Sequence, residues 1–210
     1  MNSKILILLI LLALTLTACQ FAPAAQSGDV LFEDDFSTRA NRWTSLANEG
    51  GVMNYDGGGF RMVVSAQGRD YWATPGLNFD DVRIDVDTIK VAGPVENRIG
   101  VVCRHRDVQN FYFFVISTDG YYAIGKVKEG EQSLIGQKEM LYSSAIETGL
   151  AINHLRVECQ GSILRLYIND APTALVDDFD FPEGDVGLLT GTFDEAGLDV
   201  LFDNFVVIKP

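Results

Sequence analysis

With two histidines, three cysteines and two tryptophans in 210 residues, the chain is short of the side chains that most often do chemistry. His105 and His154, its only imidazoles, stand far apart, and neither H-E-x-x-H nor G-x-S-x-G occurs. A zinc hydrolase or a serine nucleophile elbow therefore has no motif to rest on. Basic charge is scarce: 16 Lys and Arg face 29 Asp and Glu, for a formal net charge of -13. A field of that sign repels phosphate, which argues against nucleic acid and anionic membrane surfaces as partners. After the first residues, no segment of about twelve residues carries a helical apolar period, so a helical bundle is excluded. The longest apolar run, Ile5 to Leu14, is too short to span a bilayer.

That run has another use. Lys4, the apolar stretch and Leu16-Thr17-Ala18 directly before Cys19 resemble a bacterial lipoprotein signal peptide with its lipobox. The resemblance implies cleavage after residue 18 and lipidation of Cys19. Removing 18 residues from 210 leaves 192 and takes away one lysine, so the net charge becomes -14; the length suits one domain with a sizeable core. Residues 19–29, rich in small and polar residues and containing Pro23, read as a linker, and 30–210 as the domain. The implied location is the cell envelope outside the cytoplasm, with membrane contact through the lipid alone. If the cell has two membranes, Gln20, where aspartate would hold a lipoprotein back, points to the outer membrane. In that compartment the two remaining cysteines, Cys103 and Cys159, both in strand-like segments, are expected to form a disulfide, with a pair of buried free thiols as the alternative.

Strand signals fill the rest. The densest is the stretch Asn97 to Val127. Ile99, Val101 and Cys103 point to one face and Gly100, Val102 and Arg104 to the other; Phe111, Phe113 and Val115 oppose Tyr112, Phe114 and Ile116; Thr118-Asp119-Gly120 turns the chain into Tyr121 to Val127. A meander apolar on both faces belongs inside a larger sheet system. Further strands are expected at Val30 to Phe36, Gly51 to Tyr55, Gly59 to Ser65, Tyr71 to Ala73, Val82 to Val91, Asp185 to Thr190 and Asp199 to Ile208. Between 129 and 148 the pattern predicts one short strand and a helical turn at Ser143 to Glu147. His154 to Cys159 and Leu164 to Ile168 alternate strictly around Gln160-Gly161-Ser162, a hairpin with Leu155, Val157, Cys159, Leu164, Leu166 and Ile168 inward. The first and last strands share the letters Asp-Val-Leu-Phe and are expected to lie side by side. Many short strands and twenty glycines give an all-β, two-sheet antiparallel jelly-roll sandwich.

Several segments, in their order along the chain, resemble a known family. Phe32-Glu33-Asp34-Asp35-Phe36, Trp43, Gly59-Phe60-Arg61, Arg98 to Arg104, the strand containing Tyr112, Leu164 to Asn169 and Gly184 to Leu188 resemble the laminin G-like, concanavalin A-like jelly roll. Among its versions the chain resembles the 3-keto-disaccharide hydrolase-type domain of bacterial envelope lipoproteins. The resemblance implies two curved sheets with glycan on the concave face. It also implies a structural calcium held by Asp35 and Asp203 on the terminal strands, since hard oxygen ligands suit that ion.

Asp85 and Asp87 share a strand face with Arg83, about 7 Å apart, near the spacing of inverting glycosidases. The strand reads RIDVDTIK, however, and lacks the E-x-D-x-x-E of the catalytic relatives. Binding is the better reading, because aromatic faces and charged donors grip sugars without cleaving them. Arg104, Tyr112, Tyr122 and Trp72 are the expected ligand residues, Arg104 foremost, since it stands opposite the core-directed Cys103. The function expected from sequence is a lipid-anchored, non-catalytic, lectin-like module for a glycan or another polyhydroxylated ligand. The alternatives are a glycoside or 3-keto-glycoside hydrolase, and a structural module that meets a protein partner in the envelope.

Overall fold

An alternating strand can bury only one face against its own sheet's partner layer, so the apolar faces read above call for two sheets laid together. A computed structural model describes residues 25–39 and 43–210. The expected signal peptide 1–18, the lipidated Cys19 and the linker up to residue 24 lie outside the described residues. In chain order the strands are β1 (Val30–Asp34), β2 (Leu46–Asn48), β3 (Gly51–Asp56), β4 (Gly59–Val64), β5 (Asp70–Ala73), β6 (Val82–Ala92), β7 (Asn97–Asp107), β8 (Asn110–Ser117), β9 (Tyr121–Lys128), β10 (Glu131–Leu134), β11 (Leu141–Tyr142), β12 (Ile152–Gln160), β13 (Ile163–Ile168), β14 (Ala171–Asp177), β15 (Asp185–Thr192) and β16 (Leu198–Ile208).

Nine strands form one antiparallel sheet in the order β14-β13-β12-β6-β16-β4-β3-β2, with β1 also on β16; seven form the other, β10-β9-β8-β7-β15-β5, with β11 on β9. The terminal strands do lie side by side. β4 takes the first half of β16 and β1 the second, because a bulge between Asp203 and Val206, with Asn204 at φ 54°, breaks the ladder there. Pairing with the C-terminal end reaches back past β1, where Gly28 N–H donates to the Lys209 carbonyl. The β12–β13 hairpin follows its pattern: Leu155, Val157, Cys159, Leu164, Leu166 and Ile168 are all buried. Its exit turn uses Asn169 and Asp170, both left-handed, as a two-residue turn of this twist requires. Ser143 to Glu147 forms a hydrogen-bonded turn and no helix.

The core is the layer between the sheets, filled by residues such as Phe60, Met62, Ile84, Val157 and Phe202 from the nine-stranded sheet and Ile99, Val101, Phe114, Ile124 and Leu188 from the seven-stranded one. Cys103 on β7 and Cys159 on β12 are joined as a disulfide across that layer, with Cα atoms 7.0 Å apart.

The strict alternation of β7 ends at this cysteine, and the expectation for Arg104 ends with it. Cys103 pairs with Tyr112, yet Asp107 pairs with Asn110, so β7 carries two extra residues over the interval. The bulge sets Arg104 at φ 51° and turns its side chain inward, leaving it 2% exposed. Its Nη1 donates to the carbonyls of Gly161 (2.7 Å) and Phe181 (2.9 Å), Nε reaches the Asp80 carbonyl at 3.3 Å and Nη2 contacts Asp81 at 3.2 Å. Arg104 thus fastens three loops at one end of the sandwich, its guanidinium buried rather than presented on a sheet face.

Candidate functional site

The outer face of the seven-stranded sheet is where the unusual residues lie. Val102, Phe111, Phe113, Val115, Ala123 and Leu189 alternate with core positions, so they point away from the other sheet, yet each is at most 3% exposed. Trp72, Val127, Leu134 and Met140 pack on them. An open face of an antiparallel sheet is ordinarily polar; this one is a second apolar cluster. It lines a cavity of about 200 Å³, with Trp72, Phe111, Phe113 and Leu189 as its apolar wall and Asp70, Arg98 and Gln132 as its polar rim. That volume falls below the roughly 300–1,000 Å³ of sites that enclose drug-sized ligands, so it suits one small ring.

The polar rim depends on a glycine. β15 lies between β5 and β7, and Gly191 pairs with Asp70 on one side and Arg98 on the other. A Cβ at Gly191 would come within 1.8 Å of Asp70 Oδ1 and 3.0 Å of Arg98 Nε. The bare backbone lets the two side chains meet over the strand, Nε to Oδ1 at 2.8 Å. The contact is one of charge without hydrogen-bond alignment, so these two buried atoms lack a directed partner. Arg98 is further fixed by a bond from Nη2 to the Thr192 carbonyl (2.9 Å) and by its guanidinium carbon 4.5 Å from the Phe193 ring centroid. Burial pushes the Asp70 carboxyl above its ordinary range, against the opposing charge of Arg98.

Trp72 has its ring centroid 5.1 Å from Phe111 and 6.3 Å from His105. His105 lies beside this wall, its ring centroid 5.3 Å from that of Phe111, with Nε2 buried and unpartnered. Burial pushes its pKa down against the pull of Asp185 and Asp107, which keeps the ring neutral at neutral pH.

Of the four ligand residues expected from sequence, Trp72 alone is at this cavity. Tyr112 sits opposite Cys103 and so faces the core, where its hydroxyl donates to Asp178 (2.6 Å) and accepts from the Phe181 N–H (3.1 Å). Tyr122, opposite Ile116, is also in the core, its hydroxyl directed at the Thr173 carbonyl. With Arg104 turned inward by the bulge, these three brace loops and the edge strand β14 from within. The two expected calcium ligands each have a protein partner. Asp35 accepts bonds from Ser37 N–H and hydroxyl, and Asp203 lies on β16 beside Asp87 with its Oδ1 on the Asn204 N–H. Among the described residues no group of three or more His, Cys, Asp or Glu side chains is placed to hold a metal.

Asp85 and Asp87 lie on the outer face of the nine-stranded sheet, away from the cavity. His154 bridges them, Nδ1 to Asp87 at 2.8 Å and Nε2 to Asp85 at 3.3 Å, while Arg83 and Arg156 bind Asp85 and Asn204 binds Asp87. Burial pushes the Asp85 carboxyl up, but the two arginines outweigh it and hold the group below its usual range. Both carboxylates are thus occupied by neighbours on their own sheet.

No family model matches the chain, and no curated protein matches it. Solved structures do. The chain is similar to a carbohydrate binding module, CBM66, from Bacillus subtilis, at 19% identity and a TM-score of 0.60 over 80% of this chain and 95% of that one. It is similar to a Bacillus subtilis protein of unknown function with a galectin-like fold, at 11% identity and a TM-score of 0.61 over 88% and 97%. A third is the Crh5 transglycosylase in its apo form, at 10% identity and a TM-score of 0.60 over 90% and 88%. At these identities the likeness concerns the fold, which is the concanavalin A-like jelly-roll sandwich.

Proposed function

We propose that the protein binds a glycan, without turning it over, in the cup on the open face of its seven-stranded sheet. One observation carries the reading: an aromatic wall of Trp72, Phe111 and Phe113 stands beside a half-buried Asp70–Arg98 pair whose facing atoms lack directed hydrogen bonds. A sugar ring offers both of the surfaces this cup would meet, an apolar C–H patch for the aromatics and hydroxyls for the charged rim. That a carbohydrate binding module and a transglycosylase are among the similar folds supports the same class of ligand.

Binding is favoured over hydrolysis by the acid count in the cup. Both stereochemical routes of glycoside cleavage ordinarily use two carboxyl groups flanking the bond. Asp70 is the one acidic residue lining the cavity, and it is held against Arg98. In the same reading, lipidation of Cys19 tethers the domain in the cell envelope. Calorimetric titration of the detergent-solubilised full chain with gluco-, xylo-, manno- and fructo-oligosaccharides tests the proposal. Heat of binding to at least one of them, lost in Trp72→Leu, is expected; no binding to any would refute it.

A further inference from the structure

The cup shares its sheet face with a second aromatic feature that a one-ring ligand would not reach. Tyr121 opens β9 on the same side as Ala123, and Tyr142 on β11 pairs directly with it. The two rings pack edge to face, 5.9 Å between centroids, and are 41% and 65% exposed. Such exposure would be ordinary for loose side chains, but this pair is held. Gly120, at φ 105°, leaves room for the Tyr142 ring, since a Cβ there would lie 2.9 Å from it, and the Ser143 N–H bonds to the Gly120 carbonyl just beyond. Met140, directly before β11, packs on the apolar cluster of the cup, so the surface is continuous between the two features.

Register gives the geometry. Asp70, Gly191 and Arg98 form one cross-strand row; one step past the Ile99–Ile116 pair of β7 and β8, Ser117, Tyr121 and Tyr142 carry its line over β8, β9 and β11. From β7 to β11 is three strand spacings, about 14 Å. A single ring in the cup cannot touch Tyr142, whereas a chain of rings laid across the strands can. Phenolic rings presented edge to face offer a flat apolar surface with a polar tip, which suits the alternating faces of a sugar.

We infer that Tyr121 and Tyr142 form an outlying stacking platform, and that the ligand is a linear oligosaccharide lying across the seven-stranded sheet with one residue seated in the cup. This rests on the glycan reading of the cup. The test uses the detergent-solubilised full chain and a graded set of gluco-, xylo-, manno- and fructo-oligosaccharides of increasing length. Affinity for the bound series is expected to rise with length, and Tyr142→Ala to return the long members to the affinity of the short ones, a loss of about tenfold for one well-placed aromatic. The short members should be unaffected by that substitution. If length makes no difference, or Tyr142→Ala leaves the long members unchanged, the platform is refuted while the cup stands. If no member binds, the cup and the platform fall together.

Discussion

Replacing Arg104 with Met removes a buried guanidinium while keeping most of its volume, and its cost can be worked from four contacts. Two are short, to the Gly161 and Phe181 carbonyls at 2.7 and 2.9 Å; two are long, to Asp80 and Asp81 at 3.3 and 3.2 Å. A hydrogen bond from a charged donor contributes about 1.5–3 kcal/mol net, so the short pair carries roughly 3–6 kcal/mol. Asp81 can turn to water, its side chain being 36% exposed, and adds little. The left-handed backbone at Arg104 costs Met the same as Arg and cancels. A loss of about 4 kcal/mol is expected, a large part of the roughly 5–15 kcal/mol that holds a domain together. For a domain of this size it lowers Tm by about 8–16 °C. Arg104→Lys, which retains charge without the fork, should fall between. Urea and thermal unfolding read both variants, with saccharide titration in parallel. A stability change under about 1 kcal/mol with lost saccharide affinity would refute the clamp and restore Arg104 to a binding face.

Acid should loosen the same end of the sandwich. Burial raises the Asp178 carboxyl, but hydrogen bonds from Lys126 and Tyr112 more than offset it, and Lys126 and Lys128 lower Asp180, so both are held below the ordinary value of 3.8. Carboxylates with depressed folded pKa values contribute stability above their unfolded value and lose it as pH falls through the folded one. Thermal unfolding should therefore be steady from about pH 5 to 7 and fall below about pH 4, with Lys126→Met flattening that fall; an equal acid response in the variant would rule the network out. Gly191→Ala should alter the cup while sparing the fold, because the clashing atoms belong to the side chains of Asp70 and Arg98. A drop in saccharide affinity of about tenfold, with Tm nearly unchanged, is expected; unaltered affinity would show that the ion pair plays no part.

The fold was legible because burial here follows period two. Leu155, Val157 and Cys159 alternate inward on β12 as their spacing requires, and the Cys103–Cys159 pairing follows once both strands turn the same residues to the core. β14 and β2 gave no such signal, since each is a sheet-edge strand with few buried positions, and β14 contains Pro172. The site was half legible. Phe111, Phe113 and Val102 could be read as a second apolar face, but what that face holds depends on neighbours the local pattern does not carry. The Asp70–Arg98 pair exists because β15, a strand from far along the chain, inserts between β5 and β7 with a glycine at the crossing. Arg104 was misplaced by the two-residue excess of β7 over β8, which no alternation rule anticipates. Tyr112 and Tyr122 were misplaced because strand parity alone does not say which side of a two-sided apolar ribbon is core.

The glycan reading is tested most directly by calorimetric titration of Trp72→Leu beside the unaltered chain. Leucine keeps apolar volume in the wall but removes the flat ring that faces Phe111 at 5.1 Å. The unaltered chain should bind at least one of the gluco-, xylo-, manno- or fructo-oligosaccharides, and Trp72→Leu should lose about tenfold or more of that affinity while unfolding cooperatively with a similar Tm. Equal affinity in the folded variant, or no binding by the unaltered chain to any of the four series, would contradict it.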